Sequence, residues 1–381
     1  MRLQTTSGTD DQSVLRLHTI VQARRNALAE RSETGAGGVA PWIERSWQRC
    51  LALGLQPHKP VTFALISDQE TRRTAEANQH LVHTAQPLLE KLGRAIANTH
   101  YFAILTNAQG VVVDVGGAID RSDPRADLIT RIGTDLSENS VGTTAIGSAL
   151  TELQPVWLHR GEHFFDSTSV YSCAGAPLFG PNGDCVGMLD VTGIDAVERP
   201  ELKHLVTQTA NKIENALVLS QDHSLMVRLN WPGNALGSET DGILCLDADG
   251  WITGANPTAR QMVPNLHQPS RQAVHVSEVF GIPYQMLFDR VRRSDATLEI
   301  PLWTGLLLQA LPIERAREKL DIQGTQKASA TAQTQSQRPL KEIETALILT
   351  AVEQARGNVA QAAQALGISR ATVYRTLGRR T

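Results

Sequence analysis

The chain has 381 residues, 41% of them hydrophobic and 20% charged. This balance is ordinary for globular proteins and excludes a wholly disordered chain, while the length suggests two or three domains. No run of 18 apolar residues speaks for a membrane span, and the first seven residues lack the apolar core of a signal peptide, so a cytoplasmic protein is expected. Four cysteines, Cys50, Cys173, Cys185 and Cys245, lack metal-type spacing and fit a reducing compartment better than a disulfide scaffold. The net charge of −3 is unevenly placed: residues 338–381 carry +4, which leaves −7 on residues 1–337. A basic tail on an acidic body suggests a nucleic-acid contact kept apart from other work.

Residues 1–75 read as a helical N-terminal segment, with Gly35-Ala36-Gly37-Gly38 as a loop before Pro41. Residues 76–222 open and close with helical patterns around strand-like runs, and residues 230–315 repeat a strand–turn–strand style. Three hairpins share one design, with strands at 103–106 and 111–115, 176–179 and 185–191, and 242–246 and 251–255. Their turns end in Gly110, Gly183 and Gly250, where a positive φ is needed. Helices around such hairpins predict α+β domains, with helices packed on antiparallel sheets. Residues 323–337, almost wholly Gln, Ser, Thr and Ala, read as a flexible linker with a root-mean-square span of roughly 20 Å.

Residues 338–381 predict an all-α module. Leu340, Ile343, Leu347 and Ala351 form one apolar stripe. Gly357 breaks that helix and Asn358 caps the next, whose apolar face is Val359, Ala362, Ala363 and Leu366. Gly367 supplies the turn, and Ser369 is an N-cap for a third helix from Arg370. This is the helix-turn-helix plan, whose second helix lies in the major groove. Arg370 and Arg375 can contact phosphate or guanine, and Thr372 can meet a thymine methyl or a phosphate. Tyr374 can give its hydroxyl to a phosphate, and Arg379 and Arg380 suit backbone contacts that position without reading sequence.

The run from Gly357 to Arg375 fits the pattern GNxxxAAxxLGIxRxTxYR and resembles the Fis-type helix-turn-helix over residues 340–380. The resemblance implies a homodimer or higher oligomer on double-stranded operator DNA, with residues 340–355 as the dimer face. The N-terminal two-thirds resembles acetoin-catabolism-type, sigma-54-dependent regulators. The resemblance rests on the 41–51 segment from Pro41-Trp42 to Cys50-Leu51, on Asn139-Ser140-Val141-Gly142-Thr143-Thr144-Ala145-Ile146-Gly147, on Glu162-His163-Phe164 and on Cys173-Ala174-Gly175-Ala176-Pro177-Leu178. It implies a GAF sensor domain at 76–222 with a small-molecule effector. Within the 230–315 domain, residues 234–310 resemble a degenerate PAS domain, through Asp241-Gly242-Ile243 and Asp247-Ala248-Asp249-Gly250 followed by Gly254-Ala255-Asn256.

One departure is large. Such activators carry an AAA+ ATPase between sensor and helix-turn-helix, and a phosphate-binding loop needs a Gly-Lys pair. None of the seven lysines follows a glycine, and no GAFTGA loop is present. The expectation is a non-enzymatic transcription regulator without cofactors, with a sigma-54 activator paralogue as a further candidate partner. A non-catalytic partner of a full-length activator is the first alternative, and a cysteine-based redox or metal sensor the second. Candidate ligand-binding residues are Trp157, His163, Phe164, Tyr171, Cys173 and Asp190, although each is also a residue that packs a core. Asn139 and Thr143 are expected to shape a turn and cap a helix. His159-Arg160-Gly161-Glu162-His163 formally fits H-x-x-E-H, but Gly161 and Pro155 disfavour the helix that a zinc-protease motif requires.

Overall fold

A computed structural model describes residues 7–29, 38–266, 273–291 and 297–314, together with positions 352, 355, 359, 361 and 363. The chain divides into two compact units, residues 1–317 and 318–381. In the second unit Val352, Val359, Gln361 and Ala363 are helical, and Ala363 is buried. The linker at 323–337 lies outside the described residues, as do Asn358, Ser369, Arg370, Thr372, Tyr374, Arg375, Arg379 and Arg380.

The first unit opens with α1 (Ser7–Ala29), α2 (Pro41–Ala52), α3 (Asp68–Ala77) and α4 (Gln79–Ala95). Pro41 starts α2 at a position where its missing N–H costs nothing. Ser67 and Glu70 form a reciprocal capping box on α3. A first antiparallel sheet holds β1 (Tyr101–Asn107), β2 (Val112–Gly116), β3 (Val156–His159), β4 (Tyr171–Phe179) and β5 (Cys185–Ile194), in the order β2-β1-β5-β4-β3. Short helices α5 (Pro124–Ile129), α6 (Glu138–Val141) and α7 (Ala145–Glu152) interrupt it, and α8 (Leu202–Leu219) follows it.

Both faces of this sheet are covered, so β1 and β4 are buried almost end to end rather than alternating inside and out. On one face α4 and α8 enclose Ala103, Leu105, Ala176, Leu189 and Val191. On the other, α5 and α7 enclose Phe102, Ile104, Val112, Leu158 and Met188. Successive strand residues point to opposite faces, which is how one strand serves two cores.

A second antiparallel sheet holds β6 (Leu225–Asn230), β7 (Gly242–Leu246), β8 (Ile252–Ala255), β9 (Leu298–Pro301) and β10 (Leu307–Glu314), in the order β8-β7-β6-β10-β9. Helices α9 (Pro257–Met262) and α10 (Gln285–Val291) cover it. Its central strand is β6, which begins at Leu225, upstream of the 230 start read from sequence. The alternation of Leu225, Val227 and Leu229 with Met226 and Arg228 marks that strand. The three hairpins of the sequence reading form as β1–β2, β4–β5 and β7–β8, and Gly110, Gly183 and Gly250 have φ of 83°, 87° and 90°.

The two sheets share α8. Its Leu217 joins the first core while Val218 packs on Ile243 and Cys245 of the second sheet. The β4–β5 turn completes the junction, because the Pro181 carbonyl accepts from Ala255 N at 3.0 Å and from Arg260 Nη2 at 2.5 Å.

Candidate ligand-binding site

The face of the first sheet opposite α4 and α8 contains a cavity. Along β5 the residues turned that way are Met188, Asp190 and Thr192, and along β4 they are Tyr171 and Cys173. Strand register places Cys173 opposite Thr192, and Asp190 between Ile104 and Gly175. Phe63, Ile129, Leu136, Ala145 and Ile146 close the cavity with apolar surface, and Thr144, Thr168 and His163 complete the wall. Room for the centres of water-sized atoms is about 30 Å³. One water needs about 10–15 Å³ on that measure, so the space suits a ligand of a few heavy atoms.

Its polar groups form one chain. The His163 ring is 1% exposed, and its Nδ1 lies 2.9 Å from the Arg160 carbonyl oxygen. A carbonyl only accepts, so Nδ1 carries the proton and Nε2 presents its lone pair. That Nε2 is 3.5 Å from Cys173 Sγ. Burial drives the His163 pKa down to about 4, which keeps the ring neutral, and raises the Cys173 thiol well above its ordinary value. Thr192 Oγ1 lies 3.2 Å from Cys173 Sγ and donates to Asp190 Oδ2. Asp190 is fully buried, which pushes its pKa up to about 7. Its Oδ1 has no hydrogen-bond partner among the described residues. In the ionised carboxylate that oxygen is a buried acceptor left unmet, at a cost on the order of 1–3 kcal/mol, so a ligand that donates there is favoured by the ionised form.

The wall carrying His163 is held from outside by the N-terminal helices. Arg24 of α1 donates to the carbonyls of Gly161, His163 and Phe164 and pairs with Asp166 at 2.7 Å. Arg16 pairs with Glu162 at 3.0 Å, and Trp47 Nε1 of α2 donates to the Glu162 carbonyl at 3.0 Å. Burial of Glu162 raises its pKa to about 7. Arg160, at a φ of 48°, takes a left-handed conformation that a non-glycine residue seldom adopts, and its carbonyl accepts from both the ring and the backbone N–H of His163.

The segment 139–147 is tied to α2 as well. Ser46 bonds Glu138 and Thr143 at 2.7 Å each, and Arg49 bridges Glu138 and Glu152. Gly142, with a φ of 67°, lies so close to Phe164 that an added Cβ would sit 2.9 Å from the Phe164 Cβ.

Four of the six ligand-binding candidates, His163, Tyr171, Cys173 and Asp190, line one cavity. Two do not. Trp157 faces the opposite side, because its register partner is Ala174 rather than Cys173; it packs toward the α4–α8 core and stacks on His159. Phe164 packs with Ile43, Trp47 and Cys50 beneath α2. The α7 cap is Thr144, not Thr143: Gly147 N donates to Thr144 Oγ1 at 3.2 Å. Asn139 is exposed. The H-x-x-E-H residues lie on a strand end and one 3₁₀ turn, and the two rings diverge, His159 toward Ser172 and His163 toward Cys173. Sequence reasoning missed Thr192, although its place two residues after Asp190 on a strand puts both on one face.

Residues 19–215, more than half of the chain, match the family model of the MimR N-terminal domain. The chain belongs to the MimR N-terminal domain family. Residues 339–379 match the model of the bacterial regulatory protein, Fis family. The chain is similar to the acetoin catabolism regulatory protein of Cupriavidus necator, with 29% identity over 65% of this chain and 37% of that protein. It is similar also to the acetoin dehydrogenase operon transcriptional activator AcoR of Bacillus subtilis, with 26% identity over 62% of this chain and 38% of that one. The matches thus take in little more than a third of these relatives' own length. Among solved structures, E. coli DhaR(N) in its DhaR(N)-DhaL complex matches at a TM-score of 0.45 and 14% identity, over 72% of this chain and all of that one. No helix among the described residues is long and apolar enough to cross a membrane.

Proposed function

We propose that this MimR-family chain is a cytoplasmic, ligand-responsive transcription regulator without ATPase activity, which binds operator DNA as a dimer. The observation that carries the sensing half is the mainly apolar cavity with one unmet carboxylate oxygen on Asp190. The DNA-binding half rests on the Fis-family match at 339–379 and on the +4 charge of the segment from 338. In this reading residues 76–222 are a GAF-type sensor behind the helical segment 1–75, residues 230–315 a PAS-like module, 323–337 a tether and 338–381 the reading head. His163, Tyr171, Cys173 and Asp190 form the effector site. Arg370 and Arg375 read bases or phosphates and Thr372 meets a thymine methyl or a phosphate, while Asn358, Ser369, Tyr374, Arg379 and Arg380 shape the head or hold the DNA backbone.

A slack tether passes little torque, so the signal is better carried by dimerisation or by masking of the heads than by a rigid lever. Operator binding and effector binding must then shift each other by the same factor. The test is a gel-shift titration on the DNA upstream of the protein's own gene. Affinity should fall steeply with salt, each phosphate contact adding about 0.9 to the log–log slope. Replacing Arg370 and Arg375 with Ala should abolish specific binding and leave the first unit folded. Unchanged operator affinity in that double variant refutes the head assignment, and no salt-dependent binding by the unaltered chain refutes the regulator reading.

A further inference from the structure

The polar chain in the cavity offers more than a mould for a ligand. It holds a nucleophile, a base and an acceptor in sequence. The Cys173 thiol faces the Nε2 lone pair of His163 at 3.5 Å, and the ring is fixed in that tautomer by the Arg160 carbonyl at 2.9 Å. Burial keeps the thiol protonated and the ring neutral, so the oriented Nε2 serves as the acceptor of the thiol proton while the sulfur adds to an electrophile. Thr192 links the thiol to the Asp190 carboxyl, whose Oδ1 is wholly buried and without a partner among the described residues. That unmet oxygen, independent of the cysteine, points to a group that arrives as a hydrogen-bond donor. Among the described residues the cavity lining includes no Lys or Arg, so an anion finds no countercharge from them.

We propose that the cavity captures a small aldehyde covalently and reversibly, as a hemithioacetal on Cys173. The inference rests on the effector-site reading above and names its ligand class. The Sγ–C bond forms as the carbonyl π bond breaks. The thiol proton passes to His163 Nε2 and from there to the new oxyanion. The resulting hydroxyl donates to Asp190 Oδ1, which meets the unsatisfied acceptor. Nothing is oxidised or reduced, and the addition reverses by the same path. The acceptor is filled only once the carbonyl has become a hydroxyl, so the cavity discriminates between the free carbonyl and the adduct. Capture also changes the environment of His163, whose backbone carbonyl is held by Arg24 of α1. The adduct therefore has a direct route to the N-terminal helix.

The experiment uses the full chain with acetaldehyde carrying ¹³C at the carbonyl and with ethanol as the non-electrophilic control. ¹³C NMR should show a protein-bound tetrahedral carbon distinct from the free hydrate, kept in Cys185→Ala and lost in Cys173→Ala. His163→Gln should slow its appearance on the order of 100-fold while the adduct still forms. Operator affinity is read on the same samples by gel shift. A tetrahedral signal that survives Cys173→Ala overturns the proposal, as does no bound signal in the unaltered chain. If ethanol shifts operator affinity as much as acetaldehyde does, with no adduct, covalent capture falls and the regulator reading stands. If the adduct forms on Cys173 and operator affinity never moves, the capture stands and the regulator reading falls.

Discussion

Two aspartates are both wholly buried, Asp190 within β5 of the first sheet and Asp241 immediately before β7 of the second. Asp241 accepts from Gly237 N at 2.7 Å, Ser238 N at 3.1 Å, Ser238 Oγ at 3.0 Å, Asn230 Nδ2 at 3.1 Å and Arg228 Nη1 at 3.2 Å. Asp190, in the cavity lining, accepts from Thr192, and its other oxygen has no partner among the described residues. The same side chain at the same burial does opposite work. Ringed by donors, a carboxylate fixes the 231–240 loop and its strand; left half-empty, it is a cost that folding alone does not offset. The first sheet keeps that cost where a ligand can relieve it. The second sheet reserves its buried charge for architecture.

The largest effect should come from the satisfied carboxylate. Asp241→Ala strips the partner from a mostly buried Arg228 and from two loop N–H groups, so the second sheet should lose about 3 kcal/mol or more. A fall in its urea midpoint reads this directly. Asp190→Asn keeps an acceptor for Thr192 and removes a charge that burial disfavours, so stability should move by less than about 1 kcal/mol. If the two substitutions cost alike, the contrast between a structural and a binding carboxylate is wrong.

pH separates the sheets next. Asp190 is held up to about 7 from 3.8, Glu162 to about 7 and Glu214 to about 8 from 4.5, each chiefly by burial. A carboxyl with a raised value keeps its proton in the folded chain after the unfolded chain has lost it. Its contribution is fully present below its ordinary value and is lost as pH rises through the raised one. His159 and His163, lowered to about 4 from 6.5 by burial, act the other way: theirs is present above 6.5 and lost as pH falls toward 4. The two sets oppose each other up to 6.5, and above it the carboxyls act alone. From pH 6.5 to 8 the first sheet should lose stability by about 1.4 kcal/mol per pH unit for each carboxyl still protonated. Glu214→Gln should flatten the upper end of that slope, and stability that rises over this range in the unaltered chain would contradict the assignment.

Much of this was legible in the sequence, for identifiable reasons. Turn glycines and β-rich flanks located the three hairpins, because a positive φ at Gly110, Gly183 and Gly250 leaves little choice of residue. The sequence reading groups His163, Tyr171, Cys173 and Asp190, and these four line one cavity. Trp157 lies off the cavity, and sequence alone does not supply the strand register that decides this. A shift of one residue exchanges the faces, and pairing with Ala174 sends Trp157 to the helix side. Phe164 follows His163 directly on a non-repetitive segment, where neighbouring side chains need not agree. The central strand β6 is hard to read from sequence because no turn glycine marks its start and it runs into Asn230-Trp231-Pro232-Gly233, which reads as a loop.

The smallest effect lies where helix capping meets the cavity. Thr144 caps α7 through one bond from Gly147 N, and the same residue lines the cavity. In the second sheet the cap of α9 is Asn256, whose Oδ1 accepts from Ala259 N and Ile243 N while its Nδ2 reaches Asn215 and Asp241. Thr144→Ala removes a single half-exposed bond and should cost about 1 kcal/mol. Thr144→Ser keeps the hydroxyl and should restore stability, yet it deletes a methyl from the cavity wall and so loosens the fit of a small ligand. A stability rescue without a rescue of ligand affinity would show that one residue carries both tasks. If Thr144→Ser restores both, the methyl is no part of the site and the cavity boundary lies deeper, toward Cys173.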